Sequence, residues 1–400
     1  MKMHRRQFIR EVFGLWAAGC AAGRLEAASD KQQEWNKSLA QHRIASVDVK
    51  TVQLRWPRQV GKNSRLDVHG WGPRETVCRI TTDKGAAGWG QFLAGPQDVQ
   101  RIRSAVKDRT AADLFDPAVG ILKPELRPLD FALHDLAGVI LGVPVYEMLG
   151  HHGPAANLCY SGMIYFDDLE PPDNPAGIEN VLQNCRQDIE YGHRQLKVKI
   201  GRGNRWMDKE AGLARDIEVT QRIAAEFAGI DILVDGNDGF TCDSIIRYLE
   251  GIGDIRLFWI EEPFAETAED YAKLKDWLKS HNKTALTADG EYNPDEARLL
   301  ELLKAGLVDV ALQDICGYGF TAWRKYMTVL KDIGVKASPH AWGSRLKTHY
   351  TAHLAAGLGN VLTIEGVTCT SDDVDFGDYP LKDGKLVTSS AAGFGMTLKE

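Results

Sequence analysis

The chain has 400 residues, of which 44% are hydrophobic and 26% charged, a composition that excludes disordered, collagen-like and low-complexity classes. Its 48 basic and 55 acidic side chains give a net charge of -7. No basic block stands out after the first ten residues, which points away from nucleic acid as a partner.

Residues 1–28 read as an address rather than as fold. Arg5-Arg6-Gln7-Phe8-Ile9-Arg10 is a twin-arginine pattern, followed by a weakly apolar run from Val12 to Gly23 and small residues near Leu25-Glu26-Ala27. That run is far shorter than the ~20 apolar residues a membrane span needs, so no transmembrane segment is expected. The pattern resembles a bacterial twin-arginine export signal and implies a periplasmic protein. Ala17-Ala18-Gly19-Cys20 also resembles a lipoprotein cleavage box, although the usual leucine is lacking. A basic N-terminal tail is the plain alternative. The seven cysteines form no CxxC pair and no zinc-spaced cluster, and are expected to be buried free thiols.

Residues 44–54 and 76–80 alternate apolar and polar positions, which predicts antiparallel strands. Asp83-Lys84-Gly85 marks a turn. Between these strands the polar, Gly-rich stretch from Gly61 to Pro73, with His69 and Trp71, reads as a mobile surface flap. Phe131, Leu133, Leu136, Ile140 and Leu141 follow helical spacing, and Gly142-Val143-Pro144 ends that run. Residues 40–155 therefore form an α+β unit.

From residue 156 the rhythm changes. Short apolar runs at 158–160, 196–200, 232–235, 258–261, 286–288, 310–312, 336–339 and 361–365 alternate with helical stretches. Eight such units predict an α/β fold with parallel strands closed into a (β/α)8-type barrel over 156–367. A doubly wound sheet is the alternative, and no Gly-rich nucleotide loop supports it. Residues 368–400 would return to the first unit as part of a capping domain.

Polar residues cluster where those strands end: Asp235, Glu261, Glu291, Asp314, His340 and Glu365. In a (β/α)8 barrel such ends converge on one mouth. Three carboxylates from adjacent strands suit magnesium, a hard cation that takes oxygen ligands, and Asp235, Glu261 and Glu291 are the expected set, with Asp289 as a competitor for the third place. Lys197 and Lys199, two residues apart, share one face of their strand. If that face points inward, repulsion and burial would lower a lysine pKa and make a general base. Asp314 beside His340 would orient an imidazole as a second acid or base.

These residues resemble the enolase superfamily, in particular its mandelate racemase-like branch (the mandelate racemase/muconate lactonizing enzyme family). Gly85-Ala86-Ala87-Gly88-Trp89-Gly90-Gln91 is similar to the capping-domain turn, with Gln91 where Glu is usual. Phe131-Ala132-Leu133-His134-Asp135-Leu136 and its exit through Gly142, Pro144 and Gly150 resemble a signature helix. Leu196-Lys197-Val198-Lys199 matches the K-x-K motif, Val234-Asp235-Gly236-Asn237 and Ile260-Glu261-Glu262-Pro263 the first two metal motifs, and Gly290-Glu291 the third. Asp314 with His340 matches the dyad and Glu365 the acid of the last strand. At the C-terminus Ala392-Gly393-Phe394-Gly395 replaces the usual Pro-Gly-Leu-Gly-like turn.

The resemblance implies abstraction of a proton alpha to a carboxylate, through an enediolate stabilised by magnesium. Lys199 would act on one face of the alpha carbon and His340, oriented by Asp314, on the other. Lys197 and Glu365 would attend the substrate carboxylate. Asn237 and His69 are expected substrate contacts, with Arg58, Lys62, Arg65 and Arg74 as further flap donors for a polyhydroxy acid. Dehydration of a sugar acid to a 2-keto-3-deoxy acid is the leading expectation. Racemisation or epimerisation, lactone cycloisomerisation, and a decayed, non-catalytic binding protein are the alternatives. A homo-oligomer is expected.

Overall fold

The computed structural model describes residues 25–400 except 293. The twin-arginine pattern and the Ala17–Cys20 box lie outside the described residues. A first helix, Leu25–Ala40, crosses the boundary expected at residue 28. It is tied to the body where Gln32 and Asn36 both donate to the Asp116 carboxylate, at 2.9 Å each.

Three antiparallel strands follow, β1 (Ile44–Gln53), β2 (Arg74–Thr82) and β3 (Ala87–Gln91), paired in that order. The expected turn is a tight one, with Gly85 at φ +83° donating to the Thr82 carbonyl. The helix Asp130–Leu141 lies on β3 at very short range. A Cβ at Gly88 would stand 2.2 Å from the Leu136 backbone nitrogen, and one at Gly90 would stand 2.7 Å from the Phe131 Cβ. The two glycines around Trp89 are therefore a packing requirement. Asp135, buried in that helix, accepts from the backbone nitrogens of Trp89 (2.9 Å) and Phe394 (2.6 Å), and so fastens the C-terminal tail to the cap.

Eight parallel strands form the second layer: β4 (Ala156–Ile164), β5 (Gln195–Lys199), β6 (Asp231–Asp235), β7 (Leu257–Glu261), β8 (Leu286–Asp289), β9 (Val310–Ala311), β10 (Lys336–Ala337) and β11 (Ile364–Gly366). Each pairs with its neighbour in chain order. β11 pairs with β4, and the bridge Ala337–Val361 completes the circle, so the expected barrel is closed. Helices lie between all consecutive strands. After β11 the chain reaches the cap, where Thr370 bridges Arg55 and Val374–Asp375 pairs with Thr397–Leu398. Between these it returns to the barrel: Lys385–Val387 pairs antiparallel with the start of β4, so residues 368–400 do not belong to the cap alone. The barrel is plugged by a separate apolar cluster of Tyr160, Leu233, Trp259, Ala288, Val310 and Leu312. That plug closes the barrel below the strand ends, so the site can open only at the mouth.

The flap differs from its expectation. Lys62, Asn63 and Ser64 are buried, and the Ser64 hydroxyl donates to the Gly236 carbonyl at 2.7 Å. Residues 61–64 of the supposed mobile segment are thus packed in, and Ser64 and Arg65 fasten it to the loop after β6, because its polar residues find partners there rather than in water. Cys78, Cys159, Cys185, Cys242, Cys316 and Cys369 are free and buried. Among the described residues no helix is long and apolar enough to cross a membrane.

Candidate active site at the barrel mouth

Strand register builds the site. Lys199 pairs with Asp235, and Asp235 with Glu261, so three adjacent strands present these side chains in one row at the mouth. Glu291 follows β8 by two residues, after Gly290 at φ +118° turns the chain. Asp235, Glu261 and Glu291 each offer an oxygen within 4.8 Å of the others. Asp289 points elsewhere, hydrogen-bonded by the Tyr271 hydroxyl, and leaves the third place to Glu291. Glu262 is likewise turned away and accepts from the Tyr292 backbone nitrogen at 2.6 Å.

Lys197 rises from the layer below, over the Tyr160 ring of the plug. Its Nζ lies 2.6 Å from Glu261, 3.0 Å from Glu365, 3.3 Å from Asp235 and 3.7 Å from Glu291. Lys199 contacts the Asp235 carboxylate and stands over the Tyr165 ring. Glu365 also accepts from the Ala341 backbone nitrogen at 2.7 Å. Both lysines face inward, yet their expected pKa lowering is not found. Burial pushes the Lys199 ammonium down, but the Asp235 carboxylate, with Tyr165 and Glu291 adding to it, turns the net shift upward. Lys197 is raised in the same way, with Glu261 the chief opponent of burial. In sequence the two cations are neighbours; in space each is embedded in acid.

The acids respond unequally. Burial, and next Asp235, push the Glu261 carboxyl well above its ordinary range. Burial acts on Glu291 too, but His340, Lys197 and Lys199 hold it below the carboxylate range. Glu261 Oε2 and Glu291 Oε2 are buried oxygens without a hydrogen-bond partner among the described residues. Orphaned carboxylate oxygens in a dry site demand a cation, and an all-oxygen set at this spacing fits magnesium.

Asp314 begins the turn Ile315–Tyr318, where its Oδ1 accepts from the nitrogens of Cys316 (2.9 Å) and Gly317 (2.5 Å). Its Oδ2 faces His340 Nδ1 at 2.9 Å. Burial favours the neutral acid, but Lys347 and His340 hold this carboxyl well below its usual range. The other ring nitrogen of His340 is 3.2 Å from Glu291. Burial lowers the imidazole's pKa; Glu291, Glu365 and Asp314 raise it further than that, so its charged form is favoured. The β5 and β10 positions put the amine and the imidazole on different sides of the acidic triad.

Asn237, at φ +42°, donates its backbone nitrogen to Asp235 Oδ1 at 3.0 Å, and its own side-chain Oδ1 is buried without a hydrogen-bond partner among the described residues. His69 packs edge-on against Tyr165 with ring centres 4.8 Å apart, beside the base candidate. The other flap donors are spent. Arg58 pairs with Asp188 (2.6 Å), Lys62 with Glu170 (2.7 Å) and Arg65 with Asp238 (2.8 Å), and Arg74 is exposed on β2. Their partners lie far along the chain, so sequence spacing could not reveal the pairing.

Three further residues were not foreseen. Lys347 contacts Asp314 Oδ2 at 3.0 Å, sharing the oxygen that faces His340. Tyr165 and Trp342 wall the site, with ring centres 4.8 Å apart. Trp342 follows His340 by two residues, and that spacing was the available signal.

A model of the enolase C-terminal domain-like family matches residues 180–400. The chain belongs to that family. Among solved enolase-superfamily structures, a mutant galacturonate dehydratase from Geobacillus sp. complexed with Mg is 28% identical with a TM-score of 0.84, covering 90% of this chain and 94% of that one. A mandelate racemase/muconate lactonizing protein from Geobacillus sp., complexed with magnesium/tartrate, has 28% identity and a TM-score of 0.82, covering 90% and 94%. An L-Lys-D/L-Arg epimerase of Methylococcus capsulatus is 28% identical over 284 residues, 67% of this chain and 70% of its own. A D-gluconate/D-galactonate dehydratase of Picrophilus torridus is 21% identical over 353 residues, 82% and 88% of the two chains. Enolase-superfamily relatives are thus named as lyases and as isomerases, and the superfamily's barrel-plus-cap architecture is the one found here.

Proposed function

We propose that the protein is a magnesium-dependent sugar-acid dehydratase. The observation that carries this reading is the pair Lys199 and His340, placed on different sides of the Asp235, Glu261 and Glu291 triad. Magnesium held by those three side chains would polarise the substrate carboxylate and make its α-proton more acidic. With Asp235 committed to the ion instead of to its ammonium, Lys199 would be released as the free amine and would take the α-proton. Lys197 sits where it can attend the same carboxylate, and Glu365 lies against Lys197. The electron pair of the broken C–H bond forms the new double bond as the β C–O bond breaks. The hydroxyl leaves as water with a proton from the His340 imidazolium, which Asp314 orients. The resulting enol becomes a 2-keto-3-deoxy acid. Asn237 stiffens Asp235 through its backbone nitrogen.

Epimerisation is the second reading, because the same two groups could exchange a proton between faces. The two separate in one assay on purified protein with magnesium in deuterium oxide. Dehydration gives a 2-keto product with loss of water; epimerisation gives α-deuterated starting material of inverted configuration. The catalytic reading fails if no member of a broad sugar-acid library exchanges its α-proton. We also propose export through the twin-arginine route, supported by Arg5-Arg6-Gln7-Phe8-Ile9 and the short apolar run after it.

A further inference from the structure

Resting on that reading, the wall beside Lys199 narrows the substrate class. His69 Nδ1 lies 2.7 Å from the Gly61 carbonyl oxygen. A carbonyl only accepts, so Nδ1 carries the hydrogen and the neutral ring leaves Nε2 as a bare acceptor. Burial, with Lys199 adding to it, lowers the pKa of His69 and keeps that neutral form dominant. No partner for Nε2 is found among the described residues. The ring stands 6.0 Å from Trp342. Trp342 is half-buried and is backed by Trp56 at 5.3 Å and Tyr165 at 4.8 Å, so its position is fixed by packing. Tyr165 in turn lies under the Lys199 ammonium at 5.2 Å. One continuous wall thus runs from the base outward to an acceptor nitrogen and an indole.

We propose that His69 Nε2 and the Trp342 ring form a distal subsite that selects a polyhydroxy monocarboxylate, an aldonic or uronic acid, over a dicarboxylate sugar acid. A substrate hydroxyl can donate to Nε2, while the apolar face of the carbon chain covers the indole. A second carboxylate has no hydrogen to give that nitrogen. The flap cations that could neutralise it, Arg58, Lys62 and Arg65, are each closed into an ion pair. Burying an uncompensated charge against the aromatic wall is strongly unfavourable.

The test uses the full-length protein with magnesium and three acids: an aldonate or uronate that the wild type turns over, its matching aldarate, and 2,3-dihydroxypropanoate, which keeps the reacting atoms but lacks distal hydroxyls. Dehydration and α-deuterium exchange are both followed. The wild type should prefer the long monocarboxylate over the aldarate by about a hundredfold in kcat/KM. His69→Leu should lower kcat/KM for the long acid about tenfold more than it lowers exchange on the short acid. His69→Gln, which keeps an acceptor oxygen, should recover most of the loss. Equal turnover of aldarate and monocarboxylate overturns the inference, as does an equal loss on long and short acids in His69→Leu. In both cases exchange on the short acid leaves the catalytic reading standing. Absence of exchange on every acid in the wild type overturns both.

Discussion

Replacement of Lys197 by methionine should weaken the metal-free protein and tighten its grip on magnesium. The ammonium faces four carboxylates, at 2.6, 3.0, 3.3 and 3.7 Å, in a site where it is itself 1% exposed. Methionine fills a similar volume and removes the charge. Breaking a buried ion pair from one side costs about 3–5 kcal/mol. The lower end applies here, because Glu261 is already pushed towards its neutral form and can take a proton. A cost of ~3 kcal/mol corresponds to a fall in Tm of roughly 4 °C for a chain of this size. The same ammonium competes with any cation for Asp235, Glu261 and Glu291. Two unit charges 4 Å apart interact by about 4 kcal/mol at an effective dielectric of 20. Even if the flexible lysine withdraws from most of that repulsion, ~1.4 kcal/mol remains, a tenfold lower Kd for the ion. Saturation to 100 times Kd stabilises by ~2.7 kcal/mol, and to 1,000 times Kd by ~4.1 kcal/mol. Calorimetric melts in chelator and in magnesium therefore carry the prediction: Lys197→Met melts lower than wild type in chelator, and the gap narrows when magnesium is added. Equal melting in chelator, or a smaller magnesium shift in the variant, would refute the arrangement of Lys197 inside the acidic triad.

Lys347→Met should reduce dehydration roughly 10–100-fold in kcat with little change in KM, because Lys347 holds the Asp314 oxygen that faces His340, while α-deuterium exchange through Lys199 persists; Lys347→Arg should restore much of the rate. Asp135 offers a pH test. Burial pushes its carboxyl up to about 7, against roughly 3.9 in an unfolded chain, so the folded state keeps its proton where the unfolded state has lost it. Stability from this group is fullest below pH 4 and falls, by about 1.4 kcal/mol per unit, as pH rises to 7. Asp135→Asn, which turns an amide nitrogen towards a backbone N–H, should be less stable by about 1–3 kcal/mol at pH 5, with the difference shrinking towards pH 8 in denaturant titrations. Arg5→Lys with Arg6→Lys should leave the protein in the cytoplasmic fraction of a bacterial host that has the twin-arginine route; unchanged export would sink that proposal.

The parts of this molecule that were legible in its sequence are the parts dictated by local periodicity. β6 and β7 are short runs of apolar residues ending in one acid, Ile-Leu-Val-Asp and Phe-Trp-Ile-Glu, and each run marks both the strand and its mouth end. His340 and Asp314 were legible for the same reason. What stayed hidden depends on encounters between distant residues. The flap cations looked available because Asp188, Glu170 and Asp238 lie about 100 to 170 positions away. Lys197 and Lys199 looked like a mutually repelling pair because sequence shows the cation beside them and not the four acids that other strands swing into place. Lys347 sits in a helix that carries no motif, and only the closure of the barrel brings it to Asp314.

The site separates into a part fixed by the backbone and a part fixed by side chains. Lys199, Asp235 and Glu261 stand in one row because parallel pairing aligns their α-carbons, and a one-residue slip of β6 would turn Asp235 away from the barrel interior. That row is insensitive to what the flap contains. His69 and its neighbours are held differently, by a carbonyl contact to Gly61 and by ring packing against Tyr165 and Trp342. Substitutions in the flap can therefore change which acid is held without moving the groups that would take its proton. On the proposed reading, reaction chemistry belongs to the mouth ends of β5 to β11 and substrate choice to residues 58–74 together with Trp342. Relatives at 28% identity or below carry names as different as dehydratase and epimerase, as expected where specificity can change without the proton-transfer groups.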